Sequence, residues 1–195
     1  MDADGDHSGW RDFLVNVMGA RLEPSPDLRR RLLGKFGEEY VKRKLEELAR
    51  SPQANKITID NVTFRVEAVN DVSSEGRGYD IELKGSTDDG RKVEYYVEVK
   101  TIGEGNKGPT LTDNERASLI DRRDWYLVAI VRGVPGNPKA LIVTARTLLE
   151  ERWEKALTEN RDNIKKENYA IVKNVIDLSQ EMIDRLEKSG KALAL

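Results

Sequence analysis

No cysteine occurs in the chain. Disulfides, thiolate metal sites and cysteine nucleophiles are therefore excluded. Histidine is almost as scarce: His7 stands alone, in a polar amino-terminal stretch. Imidazole acid–base chemistry and His-rich metal sites thus lack the residues to build them. Chemistry here must rest on carboxylates, lysine, arginine, hydroxyls or a metal held by oxygen. No run approaches the roughly 18 apolar residues that span a membrane as a helix. Residues 1–9 are acidic and polar, unlike a signal peptide, so the expected location is the cytoplasm. A large excess of one charge sign is missing too: 33 Lys and Arg against 35 Asp and Glu leave a formal net charge of −2. That argues against a generally adhesive nucleic-acid binder and leaves any such contact to a local patch.

What is present is enough for a core. Hydrophobic residues make up 38% of the 195, charged ones 35%, and the apolar ones cluster. The length fits one domain with appendages. Residues 1–26 read as a tail with a short helix around Trp10, Phe13, Leu14 and Val17, broken by Pro24 and Pro26. Residues 27–145 read as the core, and 146–195 as a helical extension of the same domain. Asp27 is the expected N-cap of a long helix to about Arg50, with Leu28, Leu32, Phe36 and Tyr40 at four-residue spacing. Residues 62–68 alternate apolar and polar, the pattern of a half-buried strand. A second strand is expected over 79–83 and a third over 93–100, joined through Asp88-Asp89-Gly90 as a hairpin. A glycine-rich loop, 103–109, precedes Thr112-Asp113-Asn114-Glu115, a capping box that opens a helix to about Arg122. Residues 125–131 are continuously apolar, as in a central strand, and 140–143 form another. Helices are expected over about 146–158 and 179–188, with 169–175 either strand or helix.

The chemistry concentrates in Gly78-Tyr79-Asp80-Ile81 and in Val97-Glu98-Val99-Lys100. Strand side chains alternate faces, so Glu98 and Lys100 share one face and Val97 and Val99 the other. If the two strands pair, Asp80 sits beside Glu98, and two carboxylates and a lysine converge. Mg²⁺ uses one or two carboxylates and keeps several waters. Asp80 and Glu98 are the expected metal ligands, with the Val99 carbonyl as a backbone ligand. Lys100 would serve the attacking water or the charge on phosphorus. On Glu-x-Lys alone, a solvated face with cross-strand ion pairs is the commoner arrangement. Glu38 is the proposed fourth member, on a helix face shared with Gly34, Val41 and Leu45, and Glu39 competes with it. Gly34 and Gly37 are expected to let the helix approach the sheet.

In order, Gly34-Lys35-Phe36-Gly37-Glu38, Gly78-Tyr79-Asp80-Ile81, Glu98-Val99-Lys100-Thr101 and Leu111-Thr112-Asp113-Asn114-Glu115 resemble the PD-(D/E)xK, or restriction-endonuclease-like, nuclease superfamily. More narrowly they resemble the domain named after the C-terminal region of the plant protein NO VEIN, over about 28–131. The resemblance implies an α/β fold: a restriction-endonuclease-like αβββαβ core, a mixed sheet flanked by helices, and C-terminal helical additions. It implies Mg²⁺-dependent DNA endonuclease activity, with Mn²⁺ able to substitute, in the setting of a restriction or DNA-defence system. It carries over Asp80, Glu98, Lys100 and Glu38 as catalytic. The family's aromatic residue after Asn-Glu is Arg116 here.

Around this site, Asn114, Lys107 and Arg116 are the expected substrate contacts. Arg77, Arg122 and Arg123 are further candidates for phosphate. Trp125 and Tyr126 are expected in the core. Leu148, Leu149, Trp153, Leu157, Met182, Ile183 and Leu186 offer apolar surface for a homodimer. A different class of function keeps the fold without cutting: a DNA-binding or scaffold module fused to or associated with a helicase or other NTPase.

Overall fold

Proline at the start of a helix loses no hydrogen bond, because the first N–H groups have no intrahelical partner. Helix α1 (Pro26–Arg50) accordingly begins at Pro26, with Asp27 inside its first turn and Arg50 in its last. The computed structural model describes residues 26–51, 55–72, 76–103, 110–134, 136–150, 178 and 180–195. The expected amino-terminal helix, residues 151–177 and the loop residues 104–109 lie outside these.

Seven strands follow in chain order and lie in the sheet in that same order: β1 (Lys56–Ile59), β2 (Val62–Asp71), β3 (Ile81–Ser86), β4 (Lys92–Gly103), β5 (Tyr126–Val134), β6 (Lys139–Thr144) and β7 (Leu193–Ala194). Helix α2 (Asp113–Asp121) joins β4 to β5, residues 145–150 are helical, and α3 (Gln180–Lys188) precedes β7. Among the described residues only β4 and β5 pair in parallel, and the other five pairings are antiparallel. A parallel neighbour needs a crossover connection, and α2 lies on that crossover. The result is a mixed α/β architecture: one mixed sheet with helices against it.

Two strands were not expected. β1 is tied to β2 by Asp60 and Asn61, whose φ values of 47° and 65° suit the two central positions of a type I′ hairpin turn. β7 is two residues long and pairs with β6 through Leu141 and Ile142. The predicted hairpin of the Asp80 and Glu98 strands forms as β3 and β4, with Ile81 opposite Val97 and Ser86 opposite Lys92.

The sheet separates two cores. On one face Phe36, Tyr40, Val41 and Leu45 of α1 pack on Val97, Val99, Leu127, Ala129 and Val131. On the other, Leu119 of α2 packs with Tyr126, Val128, Ile130, Leu148, Ile183 and Leu186. β5 is buried on both faces, as its unbroken apolar run required. Leu148, Ile183 and Leu186 are therefore consumed within the chain, so these three offer no surface for a dimer. Leu149 and Met182 pack at the margin of the same core, while Trp153 and Leu157 lie outside the described residues. Trp125 also departs from expectation: it is 42% exposed, its ring tilted against Tyr95. Among the described residues no helix is long and apolar enough to cross a membrane.

Candidate active site

The site lies where β3 runs out. Its first ladder pair is Ile81 with Val97, yet β4 continues to Gly103. Just before β3, the Asp80 N–H donates to the Val97 carbonyl at 2.9 Å, and the Asp80 carbonyl accepts from the Val72 N–H at 2.9 Å. The chain reaches this point through Gly78, at φ +74°. A Cβ there would meet the Asn114 backbone and the Ser118 side chain of α2, so glycine is required both by the dihedral and by the approach. The buried Tyr126 hydroxyl donates to the Gly78 carbonyl, and Ser118 Oγ donates to the Arg77 carbonyl at 3.0 Å. The segment carrying Asp80 is thus held by β4, β5 and α2 together.

Asp80 and Glu98 then stand side by side, as the pairing predicted. Asp80 Oδ2 accepts the Val99 N–H at 2.7 Å. Strand geometry turns the Val99 carbonyl to the same edge. Glu98 is 4% exposed. Burial raises the Asp80 carboxyl to about 6; the charges of Glu38 and Glu115 add to the rise, while the Val99 N–H and Lys100 oppose it. Burial and the Asp80 charge push Glu98 up to about 8, against the pull of Lys100. Two close carboxyls that repel one another in this way titrate as a pair.

Lys100 Nζ lies 2.7 Å from Glu98 Oε1 and 2.6 Å from Glu115 Oε2. Burial alone would lower its pKa, but the two carboxylates outweigh burial and raise it. Glu115 responds in the opposite sense: burial raises its carboxyl, and the hydrogen bonds and charge of Lys100, with the Thr112 N–H, bring it below the ordinary value. The expected capping box is complete: Thr112 Oγ1 accepts the Glu115 N–H at 3.4 Å and Glu115 Oε2 accepts the Thr112 N–H at 2.9 Å. Glu115 therefore belongs to the site as well as to the cap. Its place in the Leu111-to-Glu115 motif was the signal, absorbed by the capping explanation.

The helix carboxylate is Glu38. It lines the same cleft as Asp80 and Glu98, whereas Glu39 is exposed and does not line it. Gly37 explains the approach, since a Cβ there would collide with Thr101 on β4. Gly34 does not share that role: nothing lies within 4 Å of a Cβ built on it. Lys35, one turn before Glu38 and not anticipated, also lines the cleft and donates to Glu38 Oε2 at 2.5 Å.

The cleft holds about 340 Å³ and is bordered by Asp71, Val72, Arg77, Gly78, Tyr79, Thr112 and Asn114 besides the carboxylates. Of the expected substrate contacts, Asn114 faces it. Arg116 does not; its guanidinium is spent on the Leu111 carbonyl and on Asp113 at the start of its own helix. Lys107 lies outside the described residues. Arg77 lines the cleft and pairs loosely with Glu82 at 3.7 Å. Arg122 is stacked over Tyr79 and Tyr96, 5.0 and 4.6 Å from their ring centres.

Among the described residues no group of three or more His, Asp or Glu side chains is gathered closely enough to hold a metal ion. Two carboxylates are nevertheless the usual complement for Mg²⁺. Asp80 and Glu98 are hard oxygen donors at the end of a solvent-open cleft; burial disfavours the charge of both, and the Asp80 charge disfavours that of Glu98 as well. Such a donor pair suits a divalent cation, which Asp80, Glu98 and the Val99 carbonyl would hold if it were bound.

No curated protein and no solved structure matches the chain significantly. One family does match, that described as Protein NO VEIN, C-terminal, over residues 36–143. The match spans more than half of the 195 residues. It begins in α1 just before Glu38 and ends in β6, so it contains Asp80, Glu98, Lys100 and Glu115. The chain belongs to the NO VEIN C-terminal domain family.

Proposed function

We propose that this cleft is a Mg²⁺-dependent DNA-cleaving site of the PD-(D/E)xK kind, and that the fold around it is restriction-endonuclease-like. One observation carries the reading: Asp80 and Glu98 are neighbours at the end of β3, with Lys100 Nζ 2.7 Å from Glu98. A bound Mg²⁺, or Mn²⁺ in its place, supplies an activated water and neutralises charge on phosphorus. The chain's own contribution is placement. Asp80 is oriented by the Val99 N–H, Glu98 is held out of water, and Lys100 presents a protonated ammonium that donates a hydrogen bond and balances anionic charge. Its two carboxylate neighbours make it a poor base. The cleft admits a phosphodiester strand from solvent, with Lys35 and Arg77 on its walls and Asn114 at the start of α2.

A second reading has an observation of its own. Glu38, Asp71, Asp80, Glu98 and Glu115 line the cleft against Lys35 and Arg77, a balance that repels phosphate until a cation enters. A module that keeps the fold without cutting, serving a helicase or other NTPase, is consistent with that balance. Incubation of supercoiled plasmid with the protein and Mg²⁺ or Mn²⁺ separates the two. Nicked or linear product, lost in Asp80→Ala, is the expected result. Intact plasmid with every divalent metal, under conditions where DNA is bound, overturns the nuclease reading in favour of the second.

A further inference from the structure

The connection between α2 and Lys100 goes beyond a helix cap. A cap needs only an acceptor at the third helical residue, and glutamine supplies one as well as glutamate. Here one oxygen, Glu115 Oε2, does two things: it accepts the Thr112 N–H at 2.9 Å and stands 2.6 Å from Lys100 Nζ. The lysine and glutamate side chains are 15% and 14% exposed, so water does little to substitute for either. Lysine carries its charge on a flexible four-carbon stem. Glu98, on the same strand as Lys100, restrains the ammonium from one side at 2.7 Å. Glu115 restrains it from a different element.

We propose that Glu115 is a positioning residue, which clamps the Lys100 ammonium between the start of α2 and Glu98 and so sets its place beside Asp80. This rests on the proposed site only for its catalytic consequence; the clamp itself is a statement about Lys100. Two elements meet in the clamp: β4 carries Lys100, and α2 lies on the crossover to β5. The cap and the clamp share one atom, so the helix start and the lysine are anchored through the same carboxylate. Asn114, the neighbouring residue, faces the cleft from the same turn. Substrate pressing on that turn would therefore be felt at Lys100.

Glu115→Gln separates the two roles, because it keeps an acceptor for Thr112 and removes the charge that holds Lys100. Thr112→Ala does the reverse, since it removes the hydroxyl half of the cap and leaves the carboxylate on the lysine. Lysine accessibility is read by acetylation with N-hydroxysuccinimidyl acetate and peptide mass spectrometry, with Lys35 and Lys84 as internal references. The expected result is that Lys100 labelling rises roughly fivefold or more in Glu115→Gln while the labelling of Lys35 and Lys84 stays unchanged. Thr112→Ala is expected to lower the midpoint and leave Lys100 protected. If Glu115→Gln does not fold, Glu115→Asp, whose shorter arm cannot reach both partners, takes its place.

Unchanged Lys100 labelling in a folded Glu115 variant overturns the proposal. On plasmid, kcat in Glu115→Gln should fall about tenfold or more with KM unchanged. A wild-type protein that labels as expected but cuts nothing removes the nuclease reading and leaves the clamp standing.

Discussion

Replacing Glu98 with glutamine tests the electrostatics of the cleft without any substrate. In the folded chain the Asp80 and Glu98 carboxyls titrate near 6 and 8, above ordinary values of 3.8 and 4.5. A folded pKa above the unfolded one means the fold holds protons that the unfolded chain has released. Stability is then greatest at low pH and declines as pH rises from about the ordinary carboxylate range toward the folded values. Glu98 alone retains about one extra proton from 4.5 to about 8, which at about 1.4 kcal/mol per unit makes its share of the loss on the order of 4 kcal/mol. For a domain of this size that is on the order of 5–15 °C in melting midpoint. Glutamine resembles the protonated carboxyl in shape and carries no charge. Glu98→Gln should therefore melt with the wild type near pH 5 and well above it near pH 8.5, both in the presence of a chelator. Lys100 keeps Glu115 as a partner in the variant, so it is not left as an unpaired buried charge. The assay is thermal melting followed by circular dichroism at half-unit pH steps. Equal midpoint differences at pH 5 and 8.5, or a less stable variant at pH 8.5, would refute the reasoning.

Other expectations follow from single contacts. Gly78→Ala should cost roughly 1–3 kcal/mol in denaturant melts, because alanine must adopt φ +74° and would strike the α2 backbone. Gly34→Ala, with open space around its Cβ, should instead add up to about 1 kcal/mol through helix propensity. Leu186→Ala should lose about 2–5 kcal/mol as a core truncation, with an unchanged sedimentation coefficient; a shift to smaller species would show that the side chain also serves an interface. Arg77→Ala should reduce DNA affinity and lower the salt slope of binding by about one, whereas Arg116→Ala, tied to Leu111 and Asp113, should leave both unchanged. Fluorescence anisotropy at several salt concentrations reads that contrast.

Much of this arrangement is legible in the sequence because the motifs are local. The capping box at Thr112, the apolar run of β5 and the turn at Asp88-Asp89-Gly90 each announce an element through chemistry within a few residues. The β3–β4 turn also fixes the register that brings Asp80 to Glu98. β1 was missed although Ile57-Thr58-Ile59, Asp60-Asn61 and Val62-Thr63-Phe64 form a hairpin signal; four residues make a weak period on their own. β7 carries no signal, since two residues at the chain end become a strand only through the edge that β6 offers. Glu115 shows a different limit. A residue already explained by a local hydrogen bond gives no sign in sequence that a buried lysine will arrive at the same oxygen. Arg116 shows the converse: its position beside the motif suggested a substrate contact, and its long side chain folded back on its own helix.

The cleft draws on parts of the chain that join it at different removes. Asp80, Glu98, Lys100 and Glu115 fall within one stretch of sequence and are held by the central strands and α2. Glu38 comes from α1, which contributes to no strand pairing and is held through its side chains: core packing, the Tyr40 hydroxyl on the Pro138 carbonyl at 2.9 Å and Lys42 on Asp71 at 3.2 Å. Its Val41 and Leu45 are fully buried in that core, so α1 opens only at a cost near that of the fold as a whole. Glu38 and Lys35 therefore stay at the cleft for as long as the core itself holds. Hydrogen exchange of the α1 amides should accordingly be as slow as that of the central strand β5.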